Sequence, residues 1–234
     1  MSDTPEIRLH HVPWSRSFRI LWLLEELGLD YDIAWHDIRK GDMQEPGYKA
    51  KSPAGRAPAL EIDDQVIFES GAITQYLAET FRLGALGRPP HAPERIAYLQ
   101  WISYAETMAG VIEQLNINHV FLRDPSQASP VVIKLNTARL KGTLAGMEAL
   151  LGDQEYLLPS GFSAADTMMG FNLFAAPYFV KLDAFPRLAA YKARIEARPA
   201  FRRAAARDGV QTFYDRDFYP VPGPVDKNVD KLKG

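Results

Sequence analysis

The chain has 234 residues, 47% of them hydrophobic and 24% charged, which is enough to bury a full core without covalent staples and excludes disordered and fibrous classes. A formal net charge of -2, with Lys and Arg scattered along the chain, leaves no electrostatic footprint for nucleic acid or an anionic membrane. Cysteine is absent, so disulfides, thiolate metal sites and protein thiol nucleophiles are excluded, and any sulfur chemistry must come from a ligand.

The five histidines, His10, His11, His36, His91 and His119, show no paired ligand spacing on a helix, and no metal is expected. The first residues are polar without an apolar h-region, and no stretch offers 18 uninterrupted apolar residues. A soluble, cytoplasmic protein is the expectation.

In chain order, "EIRLHHV" from Glu6 suits a short strand, and "SRSFRILWLLEELG" reads as a buried helix with Ser15 as N-cap and Gly28 as stop. A second strand fits Tyr31 to Ile38. The polar, Gly/Pro-rich stretch "RKGDMQEPGYKAKSPAGR" is a surface loop with room for a helical turn. "ALEI" and "VIFE" flank a turn at Asp63-Asp64 or Asp64-Gln65, giving an antiparallel hairpin, and "SGAITQYLAETF" resumes helical spacing. The first half is thus β-α-β-loop-β-β-α.

Gly and Pro then concentrate in "RLGALGRPPHAPE", the composition of an interdomain linker. Beyond it only helices are expected: Glu94 to about Phe121, Val131 to Leu151, one opening at "FSAAD" with Ser163 as N-cap and Asp166 in a capping box, and one over "PRLAAYKARIEARPAF" ending near Pro199. The expected organisation is a domain over 1–85, a linker over 86–92, an all-helical domain over 93–217 and an extended tail over 218–234.

A β-α-β start sets the first helix's N-terminus at the carboxyl end of a strand, where free N–H groups and the helix dipole favour an anion. Ser15 lies there and can cap the helix or donate to a ligand thiolate. At the second such junction Ser70 can cap, while Glu69 with Ser70 can hold a zwitterionic amino-acid end. Pro58 cannot donate to a sheet ladder, so it belongs at an edge, a first position or a bend, a cis peptide included. An outward bend would offer the main chain of Ala57 to a peptide in the strand-addition mode.

Together these residues resemble the glutathione S-transferase family. "SPAGRAPAL" is similar to its loop and cis-proline motif, and "ESGAITQYL" to its Glu/Asp-Ser-x-Ala-Ile-x-x-Tyr-Leu glutathione signature. "SRSFRILWLLEELGLDYD", "FSAADTMMG" and "ARPAF" extend the likeness over nearly the whole chain. The resemblance implies an α/β thioredoxin-like N-terminal domain followed by an all-α C-terminal domain, and a homodimer.

It also implies that Pro58 is the cis-proline, that Ala57 binds the cysteinyl backbone of glutathione, that Glu69 and Ser70 hold its γ-glutamyl end, and that Arg56 faces its glycine carboxylate. Family members activate the thiol with Tyr, Ser or Cys near the first strand and helix. With no Cys, and no Tyr before Tyr31, this leaves Ser15, with Ser17 second. Arg16 beside it either adds positive potential or is a solvated surface charge. Trp14, Tyr104, Met108 and Phe121 are candidates for the wall of a pocket for a small hydrophobic electrophile, and equally for core residues.

The implied function is conjugation of the glutathione thiolate to such an electrophile, a detoxification chemistry, with hydroperoxide reduction as a variant. A glutathione-dependent disulfide reductase and a non-catalytic glutathione-binding module are the alternatives.

Overall fold

Alternation of apolar and polar residues makes the strands, and the computed structural model, which describes residues 5–223, joins them into one four-stranded sheet in the order β2-β1-β3-β4. Strands β1 (Ile7–His11) and β2 (Asp32–Trp35) run parallel, with Leu9 opposite Ile33. Strand β3 (Ala59–Ile62) lies antiparallel to β1 and to β4 (Gln65–Phe68), placing Leu60 opposite both Leu9 and Ile67. The hairpin turn is Asp63-Asp64. The second strand is shorter than its apolar pattern, because the chain leaves the sheet after Trp35.

Helix α1 (Phe18–Leu27) joins β1 to β2 and buries nearly every side chain. One side of it meets the sheet and α3 (Ser70–Arg82), while another meets the helical half of the molecule. Short α2 (Pro46–Lys49) lies on the opposite face of the sheet, where Tyr48 meets His10 edge-on. It occupies part of the loop expected from composition.

Two expected caps are corrected. Ser17, not Ser15, is the N-cap of α1, because the first turn is already closed by Phe18 N–H donating to Ser15 O at 2.9 Å. Ser70 is the first residue of α3 and Glu69 holds the cap position with φ 69°, a left-handed backbone that places Ser70's side chain inward.

Residues 83–94 carry no strand or helix, yet Arg88 within them is buried, donating to Ala85 O, Gly87 O, Glu94 and Ser160. The helical half follows as α4 (Arg95–Asn116), extended by a π-helical turn over Ile117–Phe121, then α5 (Pro130–Leu151), α6 (Ala164–Ala175), α7 (Pro186–Glu196) and α8 (Pro199–Arg207). Helix α7 ends shortly before Pro199 as expected, with Arg198 extended, and Pro199 itself opens α8 at its first position, where a missing N–H costs nothing. Residues 218–223 lack regular structure, and Tyr219 is nonetheless buried, its N–H donating to Tyr178 O at 2.7 Å. The rest of the expected tail lies outside the described residues.

Helix α6 is buried on almost every side and is the hub of the helical half. Its capping box forms as expected: Asp166 accepts from Ser163 N–H at 2.7 Å, and also from Leu157 N–H and the Tyr191 hydroxyl. Burial pushes the Asp166 carboxyl above its ordinary value against the pull of those donors.

Gly170 lets α6 approach α1. A Cβ there would lie 2.6 Å from Trp22 Cζ3 and 2.8 Å from Ile195 Cδ1, and Trp22 is fully buried with no room to turn away. Helix propensity favours Gly170→Ala by about 1 kcal/mol, whereas overpacking a rigid core costs about 1–3 kcal/mol. Net destabilisation is therefore expected in thermal unfolding, and a Tm equal to or above that of the parent would reject this account of the contact.

Candidate functional site

Where the sheet, the loop after β1 and the helical half converge, a cleft of about 310 Å³ opens. One side consists of Val12, Trp14, Ser15 and Arg16 from the turn into α1, with Met43, Gln44, Gly55, Arg56 and Ala57 from the segments around α2. The other side is formed by Ile112, Glu113 and Asn116 of α4, Phe121, Phe171 and Asn172 of α6, and Phe213 with Tyr214 from the segment after α8. A mostly apolar cleft with a few converging polar groups is the usual form of a small-molecule site.

The sheet side is fixed by a tightly tied loop. Arg56 O accepts from the hydroxyls of Tyr48 at 2.9 Å and Ser52 at 2.8 Å. Gly55 has φ 61° and approaches the Met43 carbonyl so closely that a Cβ would sit 2.8 Å from it, so glycine is required twice over. The Ala57–Pro58 peptide is cis. Ala57 lines the cleft, and its N–H and C=O take part in none of the loop and turn hydrogen bonds among the described residues.

Ser15 faces the cleft while Ser17 does not. Ser17 is fully buried, with Oγ accepting from Val12 N–H at 3.1 Å and lying 2.8 Å from both His11 Nδ1 and Ser15 Oγ. The second candidate for thiol activation is therefore corrected to an interior residue without access to a ligand. Trp14, just before Ser15, has φ 58°, and its N–H donates to the Asp208 carboxylate at 3.2 and 3.3 Å. Such a backbone persists only where its surroundings hold it.

Arg16 is not a free surface charge. It pairs with Glu106 at 3.4 Å and with Glu113, while Arg56 reaches both Glu113 oxygens at 2.7 and 3.0 Å. These pairs bridge the cleft from the sheet side to α4. Deeper in, Arg19 donates to Ser70 Oγ at 2.9 Å and to Glu106, and Ser70 donates to Glu106 at 2.9 Å. Burial pushes the Glu106 carboxyl up, but Arg19, the Ser70 hydroxyl and Arg16 outweigh it and hold the group below its ordinary value.

Of the four wall candidates, Trp14 and Phe121 line the cleft and two are corrected. Met108 is fully buried in the core, and Tyr104 faces α5, its hydroxyl donating to Thr143 O at 3.0 Å. Glu69, Ser70 and Pro58 lie outside the cleft lining; Glu69 is solvent-exposed and Ser70 is engaged with Arg19 and Glu106. Phe213 and Tyr214 were not expected there. Tyr214 stacks on Tyr178 at 3.8 Å and its hydroxyl donates to Asn116 at 3.0 Å, while Phe213 meets Phe121 edge-on at 5.4 Å.

Among the described residues no group of three or more His, Cys, Asp or Glu side chains could hold a metal ion, and no helix is long and apolar enough to cross a membrane.

Comparison with known proteins finds relatives of this chain. The family model described as glutathione S-transferase, N-terminal domain, matches residues 6–79. Glutathione S-transferase 1 of Zea mays is 30% identical over 78% of this chain and 87% of its own length. Glutathione S-transferase 3 of Schizosaccharomyces pombe is 29% identical over 96% of this chain and 100% of its own length. Among solved structures, the glutathione transferase URE2P6 of Phanerochaete chrysosporium, in complex with oxidized glutathione, superposes with a TM-score of 0.80 at 25% identity, covering 89% of this chain and 98% of that one.

Proposed function

The chain belongs to the glutathione S-transferase family, and from that premise we propose that its cleft binds glutathione and directs the thiolate at a small hydrophobic electrophile. The observation that carries this reading is the Ser15 hydroxyl, which stands in the cleft together with the uncommitted main chain of Ala57. Ala57 pairs with the cysteinyl backbone of the tripeptide as an added strand would. This sets the sulfur beside Ser15, at the mouth of α1.

A free thiol titrates near ~8.5, and a helix N-terminus with a hydroxyl donor stabilises the charged form, raising the nucleophile fraction at neutral pH. Glu69 and Ser70 serve the γ-glutamyl end, which requires Ser70 to share its hydroxyl with Arg19 and Glu106. Arg56 takes the glycine carboxylate and releases Glu113 in exchange. Trp14, Phe121, Phe171, Phe213 and Tyr214 supply the apolar wall for the second substrate. A homodimer completes the reading.

Calorimetric titration with glutathione, beside turnover of an aryl halide, an organic hydroperoxide and a small disulfide, tests it. Binding with aryl-halide turnover is expected, and Arg56→Gln should weaken binding by about 3- to 10-fold, an exposed charge-assisted contact being worth up to ~1.5 kcal/mol. No glutathione binding overturns the reading. Binding without turnover on any of the three favours a non-catalytic module.

A further inference from the structure

Behind Ser15 a line of hydrogen-bonding groups runs from the cleft into the interior. Ser15 Oγ lies 2.8 Å from Ser17 Oγ, which lies 2.8 Å from His11 Nδ1, and His11 Nε2 lies 3.0 Å from Asp208 Oδ1. Ser17 and His11 are 0% exposed and Asp208 is 3% exposed, so only Ser15 can meet a ligand. From this geometry we infer that His11 accepts, through Ser17 and Ser15, the proton a bound glutathione thiol loses, with Asp208 holding the resulting imidazolium. The inference rests on Ser15 facing the thiol.

The direction of each bond follows from its donors and acceptors. His11 Nε2 faces two oxygens that can only accept, the Asp208 carboxylate at 3.0 Å and the Asp208 carbonyl at 3.1 Å, so it carries hydrogen in both protonation states. In the neutral ring Nδ1 is then the acceptor, and it takes the Ser17 hydroxyl hydrogen. The two lone pairs of Ser17 Oγ accept from Val12 N–H at 3.1 Å and from the Ser15 hydroxyl. Ser15 Oγ accepts Ser17 N–H at 3.2 Å and keeps one lone pair for a ligand S–H.

With a proton on Nδ1 the line reverses. The ring donates to Ser17, Ser17 donates to Ser15, and the Ser15 hydroxyl turns toward the thiolate. Both arrangements satisfy every donor and acceptor on the line. Three shifts interconvert them: the S–H bond breaks and its proton passes to Ser15 Oγ, the Ser15 proton passes to Ser17 Oγ, and the Ser17 proton passes to His11 Nδ1. Sulfur keeps the electron pair and the ring gains the charge. The Val12 carbonyl, 3.1 Å from Ser17 Oγ, is the longer competing acceptor for that hydroxyl.

Asp208 follows the last residue of α8 and does two things at once. It pairs with the imidazole Nε2 at 3.0 Å, and it holds the Trp14 N–H that sets the backbone before Ser15. His36, just past β2, is a further titratable neighbour of His11 among the described residues, its N–H donating to His11 O at 2.8 Å. Burial first and His10 next push His36 below its ordinary value, with Asp42 opposing and His11 adding to the fall. Trp35 closes the site edge-on at 5.3 Å. His11 touches no substrate, so it is a positioning residue acting through two hydroxyls.

The test is imidazole 15N NMR of the full chain, the His11 signals assigned with His11→Gln, alongside thiolate absorbance of bound glutathione. Glutathione should form thiolate and protonate His11 Nδ1 together, whereas S-methylglutathione, which has no thiol proton, should leave the ring neutral. Ser17→Ala keeps the His11–Asp208 pair and cuts the line, so the bound thiol's pKa should rise and kcat fall about 10-fold or more with KM for glutathione little changed. A thiolate that forms while His11 stays neutral, or an unaltered thiol titration in Ser17→Ala, overturns the relay and leaves the Ser15 reading standing. If no thiolate forms on the parent protein, both fall.

Discussion

Ser15→Ala is expected to lower kcat/KM for an aryl halide by about 10²-fold or more, the effect of removing one preorganised donor from a developing or resident anion. Two hydroxyls line the cleft among the described residues, and that of Tyr214 is committed to Asn116 at 3.0 Å. Burial also pushes the Tyr214 phenol well above its ordinary value, so it does not ionise near neutrality. Ser15 is the hydroxyl left to meet a sulfur. Removing it should raise the pKa of bound glutathione, so kcat/KM at pH 7 falls further than at alkaline pH, where the thiol ionises unaided. Affinity for glutathione should change far less, because the Ala57 main chain and the residues proposed for the two ends of the tripeptide are untouched. Ser15→Thr keeps the hydroxyl and should retain a large part of the activity. An unchanged thiolate absorbance titration in Ser15→Ala would remove Ser15 from the mechanism.

The sheet half was legible because its signals are local. Alternation marked the strands, Gly28 marked the end of α1 with φ 68°, and the short run "IDDQV" confined the hairpin turn to two choices. Of the candidate site, the sequence brought to the cleft those residues whose setting depends on their neighbours in the chain, as for Ser15 and Ala57. Tyr104 and Met108 show the opposite case: a four-residue spacing says that two side chains share a helix face, and says nothing of what that face meets. Here it meets α5 and the core. Phe213 and Tyr214 lie beyond the last expected helix, and their partners Phe121 and Tyr178 are remote in sequence, so no window of residues carries the signal. The same holds for Asp208, nearly two hundred residues from His11 and Trp14.

Arg19→Met is expected to destabilise the protein by about 3 kcal/mol, the low end of the range for removing one partner of a buried ion pair. Arg19 is 0% exposed, and burial pushes its pKa down to about 10 although Glu106 opposes the fall. Methionine fills much of the volume, but the acceptors it abandons include Asn172 Oδ1, which Arg19 reaches at 2.9 Å inside the core. The cost stays at the low end because the Glu106 side chain is 34% exposed and keeps Arg16 and Ser70. The pH dependence separates this account from simple loss of packing. Glu106 titrates below its ordinary 4.5 in the folded state, chiefly through Arg19 once burial is outweighed. A depressed carboxyl contributes stability above its unfolded pKa, and that contribution is lost as pH falls through the folded value. The parent should therefore lose stability below about pH 4.5 more steeply than Arg19→Met does in urea titrations, and equal slopes would refute the coupling. Ser70 sits between Arg19 and Glu106, so the same substitution frees a hydroxyl proposed to hold the γ-glutamyl end. A weaker grip on glutathione in Arg19→Met, with Ser15 and Ala57 unaltered, would mean that the buried pair joining the two halves of the molecule also sets the geometry of the ligand site.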